Sequence, residues 1–286
     1  MLKSISNSSS ALQGYQHMLA TTAHNLSNVN TVAYRERKVS FHDLPYRPLM
    51  ERRLPRTENA RNTPFSGRGM AISSITTSLE KGAPLATGKQ FDLNILGEGF
   101  FRVIRPDGSY AYTRSGNFYL NEQGNLSLPG GALLDPFLQL TALEEEADLS
   151  HISITAEGIV YAPSLKDILE EVGEEETLPL EEMDGEMPAG MLKLGEIHLY
   201  HFINSQGLYS IGENLFLPTE ASGLPIEAKP GEEGLGKLQQ GFLEGSNVEL
   251  TRQMTNLIRG QRFLQASARA LTTGDELWAI TLNMLA

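Results

Sequence analysis

A large apolar residue recurs at every seventh position near both ends of this chain, and any fold must give each of these stripes something to lie against. At the start the row is Ile5, Leu12, Leu19 and Leu26, with Ser8, Tyr15, Thr22 and Val29 three positions after each. At the end it is Leu250, Leu257, Leu264, Leu271, Trp278 and Leu285, with Met254, Gln261, Ala268, Asp275 and Leu282 as companions. A seven-residue step keeps a narrow stripe on one side of a helix, so the spacing predicts a helix from about Ser4 to Val29 and another in the C-terminal segment, each needing a helical partner. The alternative is two amphipathic helices packed on their own domain. Gly260 and Gly274 fall inside the second stripe, and each weakens an isolated helix by about 1 kcal/mol relative to alanine, so that helix depends on its partner.

Between the stripes the period changes. The stretch DLNILGEGFFRVIRPDGSYAYTRSGNFYLNEQGNLSLPGG reads as short strands and turns, with a two-residue hairpin expected at Asp107-Gly108 and later turns at Gln123-Gly124 and Pro129-Gly130. HISITAEGIVYA, IHLYHFI, LYSIGENLFLPT and KLQQGFLEG add further strands bounded by Gly, Pro or Asn. The middle is therefore expected to be an all-β body with hairpin connections. Residues 164–190 interrupt it with ten acids against the single Lys166, a surface excursion. Residues 35–68 are opposite in character: nine arginines and lysines, Arg35, Arg37 and Lys38 among them, face four acids. The two segments can attract one another within or between molecules, or form two unrelated solvated surfaces.

A chain of 286 residues with 40% hydrophobic and 20% charged residues has room for a sizeable core, and global disorder is excluded. A formal charge of −12 argues against a whole-molecule footprint for nucleic acid. The absence of cysteine excludes disulfides, thiol catalysis and cysteine-ligated zinc. No cleaved secretory signal and no membrane span is expected, because the chain lacks the apolar runs each requires.

Catalytic constellations are thin. His198 and His201 stand three apart on an expected strand, which sends their side chains to opposite faces and disfavours joint metal ligation. GEGFF lacks the third glycine of a dinucleotide loop and reads as a tight bend beside a buried Phe pair. The acidic insert offers carboxylates without the burial that separates pKa values, and no Gly-x-Ser-x-Gly elbow occurs. Neither a catalytic residue, a metal site nor a cofactor is expected.

Three segments resemble, in order, the signatures of bacterial flagellar rod and hook proteins. HNLSNVNTVAYRERKVSF carries Asn25, Asn28, Asn30, Thr31 and Tyr34 of the signature turn and arm, with Val32-Ala33-Tyr34 in place of the usual x-Gly-Phe. LGEGFFRVIRPDGSYAYTRSGNFYLNEQGNL carries Gly97, Gly99, Phe100, Phe101, Tyr112, Thr113, Arg114, Gly116 and Phe118. GFLEGSNVELTRQMTNLIRGQRFLQASARALTTGDELW is similar to the third signature, a Gly-x-Leu-Glu-x-Ser-Asn-Val run followed by an arginine-bearing helix. Within the family, the stretch from Leu44 to Lys89 resembles the linker of distal-rod members, with proximal rod and hook members as alternatives.

The resemblance implies a mainly β protein with terminal α-helices, the two helices forming a coiled-coil inner domain and the centre an all-β outer body. The expected divisions are 1–43 for the N-terminal helix and extended arm, 44–90 for a linker, 91–244 for the body with its insert, and 245–286 for the C-terminal helix. It further implies a structural subunit of the flagellar basal body, spanning the periplasm, that polymerises with itself into a helical tube transmitting torque. Neighbouring rod and hook subunits and the flagellar type III export apparatus are the implied partners, with surrounding ring proteins as further candidates. Neither nucleic acid nor membrane insertion is implied. The competing class is a periplasmic β-sandwich that binds or hydrolyses carbohydrate.

Overall fold

Both seven-residue stripes form helices, Leu2–Ser27 and Leu250–Leu285, in a computed structural model that describes residues 2–48, 65–137, 152–163, 191–232 and 234–285. The acidic segment 164–190 and the central part of the basic segment, 49–64, lie outside the described residues. The chain divides into two compact units. One comprises Met1–Asn30, Arg35–Ser78 and Val248–Ala286, and the other Thr31–Tyr34 and Leu79–Asn247.

In the first unit the helices pack antiparallel. Ile5 lies against Gly274, the Tyr15 ring stacks on Phe263 with centroids 4.9 Å apart, Leu19 lies against Gly260, and Asn25 reaches Gln253. The glycines are the reason the helices can approach: a β-carbon at Gly260 would stand 2.7 Å from Leu19 Cδ2. Beside half-buried Leu257, Leu264 and Leu271, the covered companion row is Gln253, Gly260, Ser267 and Gly274, one residue earlier than the spacing predicted. Met254, Gln261, Asp275 and Leu282 are exposed instead, and only Ala268 of the expected companions is partly covered. A close helix contact wants small residues in its second row, and these do not register as a hydrophobic signal.

The ends of the main row are also uncovered, Leu250 being 44% and Trp278 39% exposed. The N-terminal helix has 26 residues against 36 and leaves the longer helix without a cover at its ends. The Leu285 side chain lies outside the described residues.

The other side of the N-terminal helix meets a β-ribbon. Strand Arg37–Asp43 pairs antiparallel with Met70–Thr77, and Arg47–Pro48 with Phe65–Ser66. Gly14 sits under Phe41 and Met70, Ser10 under Gly69, and Asn7 donates to the Gly67 carbonyl at 3.4 Å. The segment expected as a linker over 44–90 therefore contains a returning strand, and the boundary between units falls between Ser78 and Leu79. That pairing spans an excursion of more than twenty residues, which a local reading does not reach.

The second unit is the β-body. Its largest sheet runs Tyr209–Gly212, Leu215–Leu217, Tyr110–Thr113, Phe101–Ile104, Leu133–Asp135, Leu126–Ser127 and Tyr119–Leu120 in spatial order, with antiparallel neighbours. A three-stranded sheet, Ser153–Ile154, Ile159–Pro163 and Met191–Glu196, and pairs formed by Leu93–Leu96 with Lys237–Gln240 and Pro84–Ala86 with Phe242–Glu244 complete most of it. The main core gathers Leu93, Phe101, Val103, Leu134, Ile197 and Leu199 among others. A separate aromatic cluster holds Phe100, Tyr112, Tyr200, Phe202 and Phe216.

One turn recurs in this body. The expected two-residue hairpin at Asp107-Gly108 is a three-residue loop, Pro106-Asp107-Gly108, in which the Arg105 N–H donates to Ser109 and the Gly108 N–H to Arg105. Glu122-Gln123-Gly124, Pro129-Gly130-Gly131 and Ala156-Glu157-Gly158 repeat the same two bonds, each ending on a glycine with φ between +75° and +84°. This is a type I turn closed by a left-handed residue, the position that glycine fills at least cost.

Replacing Gly260 with Val is expected to destabilise the helix pair by about 1 to 3 kcal/mol, because even its β-carbon would stand 2.7 Å from Leu19 Cδ2 and force the two helices apart or Leu19 out of its place. Gly274→Ala, whose β-carbon would stand 3.3 Å from Ile5, is expected to be neutral or stabilising through helix propensity. Thermal unfolding followed at 222 nm separates the two.

Candidate assembly site and signature residues

Arg114 is 4% exposed and its guanidinium makes four hydrogen bonds. It donates to Glu244 at 2.8 Å, to the Gly99 carbonyl at 2.9 Å, to Gly97 at 2.7 Å and to Ile95 at 3.3 Å. Two of these acceptors lie on the Gly97–Gly99 bend and a third, Ile95, just before it, which explains why that bend and Arg114 share one signature. At Gly97, φ +148°, a β-carbon would stand 2.4 Å from Gly236 Cα, and at Gly116 one would stand 1.8 Å from the Leu93 carbonyl oxygen. The bend is thus a backbone-to-backbone crossing and not a phosphate loop.

Adjacent residues divide the two cores between them. Phe100, paired through its backbone with Tyr200, enters the aromatic cluster, whereas Phe101 enters the main core and meets Phe118 edge-on at 5.3 Å. Tyr112 packs edge-on against Phe202 at 4.9 Å. The Thr113 hydroxyl donates to the Asn214 carbonyl at 2.9 Å and accepts from the Ser115 N–H. The buried Phe pair expected at GEGFF is present, with its members on opposite sides of the strand.

Thr31–Tyr34 belongs to the β-body and forms a turn, not the start of an extended arm, which begins only at Arg37. The Ala33 N–H donates to the Glu244 carbonyl at 2.8 Å, and Val32 accepts from Asn214 Nδ2 at 2.6 Å. Ala33 is buried at φ +54°, in the left-handed region, where the flagellar signature has glycine. The departure noted in the sequence therefore falls on the one residue of this turn whose backbone favours glycine.

In the helical unit Asn25 acts as a piece of backbone. Its Nδ2 donates to the Arg37 carbonyl at 2.8 Å while its Oδ1 accepts from the Arg37 N–H at 3.0 Å, seeding the strand that follows. Gln253 lies 3.5 Å from Asn25 and donates to Glu36 Oε1 at 2.7 Å, with all three residues buried. Asn28 donates to the His24 carbonyl at 2.9 Å and so satisfies an acceptor left free at the helix end, and Asn30 is exposed. Arg35 is buried, and Lys38 lies near Glu36 and Ser78, so neither is a free surface cation.

Glu244, Gln253 and Glu36 carry little signal in the sequence: Glu244 shows only as the acid of the Gly-x-Leu-Glu run, while Gln253 and Glu36 look like ordinary polar residues until distant partners are brought to them. His198 and His201 are not brought together: His198 is held between Glu227 and Glu196, and among the described residues no cluster fit to hold a metal ion occurs. Glu196 is itself held at about 2 by hydrogen bonds from Lys193 and Lys229.

The seam residues occupy a graded surface. Ile5, Leu12, Leu19 and Leu26 are half-buried, as are Leu257, Leu264 and Leu271. Beyond them the C-terminal helix exposes Leu250, Met254 and Ile258 at successive turns, and near its end Leu277, Ile280 and Met284.

Comparison with known proteins sets the class first. Residues 94–162 match the flagellar hook protein FlgE/F/G D1 domain, and residues 239–284 match the C-terminal region of flagellar basal body rod FlgEFG proteins. The chain is 34% identical over 287 residues to flagellar basal-body rod protein FlgG of Borreliella burgdorferi, with 99% of each chain covered. It is 31% identical to FlgG of Bacillus subtilis, again over 99% of each. The flagellar hook-basal body complex protein FlhP of Bacillus subtilis is 28% identical, with 97% of each covered. This chain belongs to the FlgG family of flagellar basal-body rod proteins.

Arg114→Ala is expected to cost the β-body about 3 to 5 kcal/mol in urea unfolding, because it leaves Glu244 buried without its countercharge. At Ala33, valine is expected to cost about 2 kcal/mol or more and glycine to change stability by about 1 kcal/mol or less, measured the same way.

Proposed function

We propose that the chain is a structural subunit of the distal rod, polymerising into a helical tube that carries torque through the basal body and encloses an export channel. One observation supports the polymer beyond family membership. Among the described residues of the helical unit, the buried positions are Gly14, Gly260 and Gly274, the polar Thr22, Asn25, Arg35, Glu36 and Gln253, and a single apolar side chain, Val248. The β-body, by contrast, closes two apolar cores of its own.

A unit so built gains little from burial as a monomer. Each large apolar side chain completed by a neighbour contributes about 1.5 to 3 kcal/mol, and several acting together offset the entropy of ordering the helices. In this reading the helices form the coiled-coil inner domain, with Ile5, Leu12, Leu19 and Leu26 and the C-terminal row as assembly seams. Rod and hook subunits are the neighbours, and delivery is by the flagellar type III apparatus. The role is structural and not catalytic. Among the described residues no helix is long and apolar enough to cross a membrane.

Ile258→Asp tests the reading at a side chain that the monomer covers only in part, Ile258 being 57% exposed. Expected are an unchanged β-body melting transition and loss of tubes by electron microscopy of concentrated protein. Normal tubes from this variant would remove the exposed stripe from the assembly surface.

A further inference from the structure

The formal charge of −12 is unevenly carried. Residues 1–30, 35–78 and 248–286, the helical unit, hold 14 lysines and arginines against 7 aspartates and glutamates, leaving the acidic balance to the β-body. The C-terminal helix is divided within itself. Its cations, Arg252, Arg259, Arg262 and Arg269, come first, Asp275 and Glu276 follow, and no other charged side chain occurs before Leu285.

All six are exposed, and none is paired with an opposite charge among the described residues. No acid stands three or four residues from Arg259, Arg262 or Arg269, and no base stands so from Asp275 or Glu276, so the helix makes none of the intrahelical pairs that usually justify surface charge. Arg259 and Arg262 are themselves three apart, a like-charge spacing that disfavours the helix. Arg262, Arg269 and Glu276 form one row at seven-residue steps, on the side away from the Gly260 and Gly274 row that receives the N-terminal helix.

We propose that this row is a registration surface for a second copy of the chain. The C-terminal helix of a parallel neighbour, shifted along the axis by about 15 Å at 1.5 Å per residue, sets its Asp275 and Glu276 against Arg262 and Arg269 of the first. Each copy offers acids at one end and receives them at the other, so the contact is heterologous and repeats without closing, as a tube requires. The apolar stripe supplies burial that tolerates sliding; the charge blocks admit one stagger and oppose others by like-charge contact. The inference rests on the polymer reading and specifies the neighbour and its axial register.

The test is a charge exchange in the full chain, with tubes sedimented and imaged. R262E/R269E and D275R/E276R are each expected to raise the critical concentration for assembly about tenfold or more, with the β-body melting transition unchanged. An equimolar mixture of the two, and the single chain R262E/R269E/D275R/E276R, are expected to assemble like the wild type, because opposite charges again meet. Assembly of either double variant alone at the wild-type concentration, or no rescue by mixing and by exchange, would overturn the registration surface while leaving the polymer standing. Wild-type protein that forms no tubes at any concentration would overturn the polymer reading itself, and the inference with it.

Discussion

Glu244 is the residue on which the β-body turns. Its carboxylate accepts from Arg114 and, at 2.9 Å, from the Gly82 N–H, while its backbone carbonyl takes the Ala33 N–H. Segments distant in the chain, around Ala33, Gly82 and Arg114, are thereby held at one buried residue, two by its carboxylate and one by its backbone. A charge taken out of water is tolerable only when it is paired and hydrogen-bonded, and here the guanidinium opposite also donates to three carbonyls of the Ile95–Gly99 segment. The Gly97–Gly99 bend, through Arg114, and the Thr31–Tyr34 turn, through the Glu244 carbonyl, are both tied to this residue.

The helical unit solves a different problem with different means. Its close contacts are made by what is missing, glycine under Ile5 and Leu19 on one side, and Gly14 with Ser10 under the ribbon on the other. Its buried polar group, Asn25 with Gln253 and Glu36, contributes specificity more than strength: a shifted register would leave several amides and a carboxylate unsatisfied, so the helices have one way to meet. Register is fixed by polar groups and small residues, and the larger apolar side chains stay half in solvent.

This division explains which parts of the fold can be read from the amino-acid order. The seven-residue rows, the hairpin glycines and the alternation of the strands are local and repeat, so helices, turns and an all-β centre are legible. Gln253, Glu36 and Glu244 are not, because each looks like an ordinary surface residue until a partner far along the chain is brought to it. Gly260 and Gly274 are visible as helix-weakening residues, yet the leucine and isoleucine that occupy them are found only when the two ends are seen together. The return of Met70–Thr77 onto Arg37–Asp43 is hidden for the same reason: the strand pattern is there, but its partner is separated from it by the basic excursion.

In the proposed polymer the two units of this chain meet different demands. The β-body closes two apolar cores of its own and pairs its buried Arg114 with Glu244, so it has hydrophobic reason to fold without a neighbour. The helical unit, with one buried apolar side chain among its described residues, has little hydrophobic reason to be rigid alone. Exposed apolar rows and unpaired charges on its C-terminal helix are costs in a monomer, and in the proposed polymer they become contacts between copies. Ordering of the ends then coincides with joining the polymer, and the helices become stable at the moment their neighbours define where they must lie.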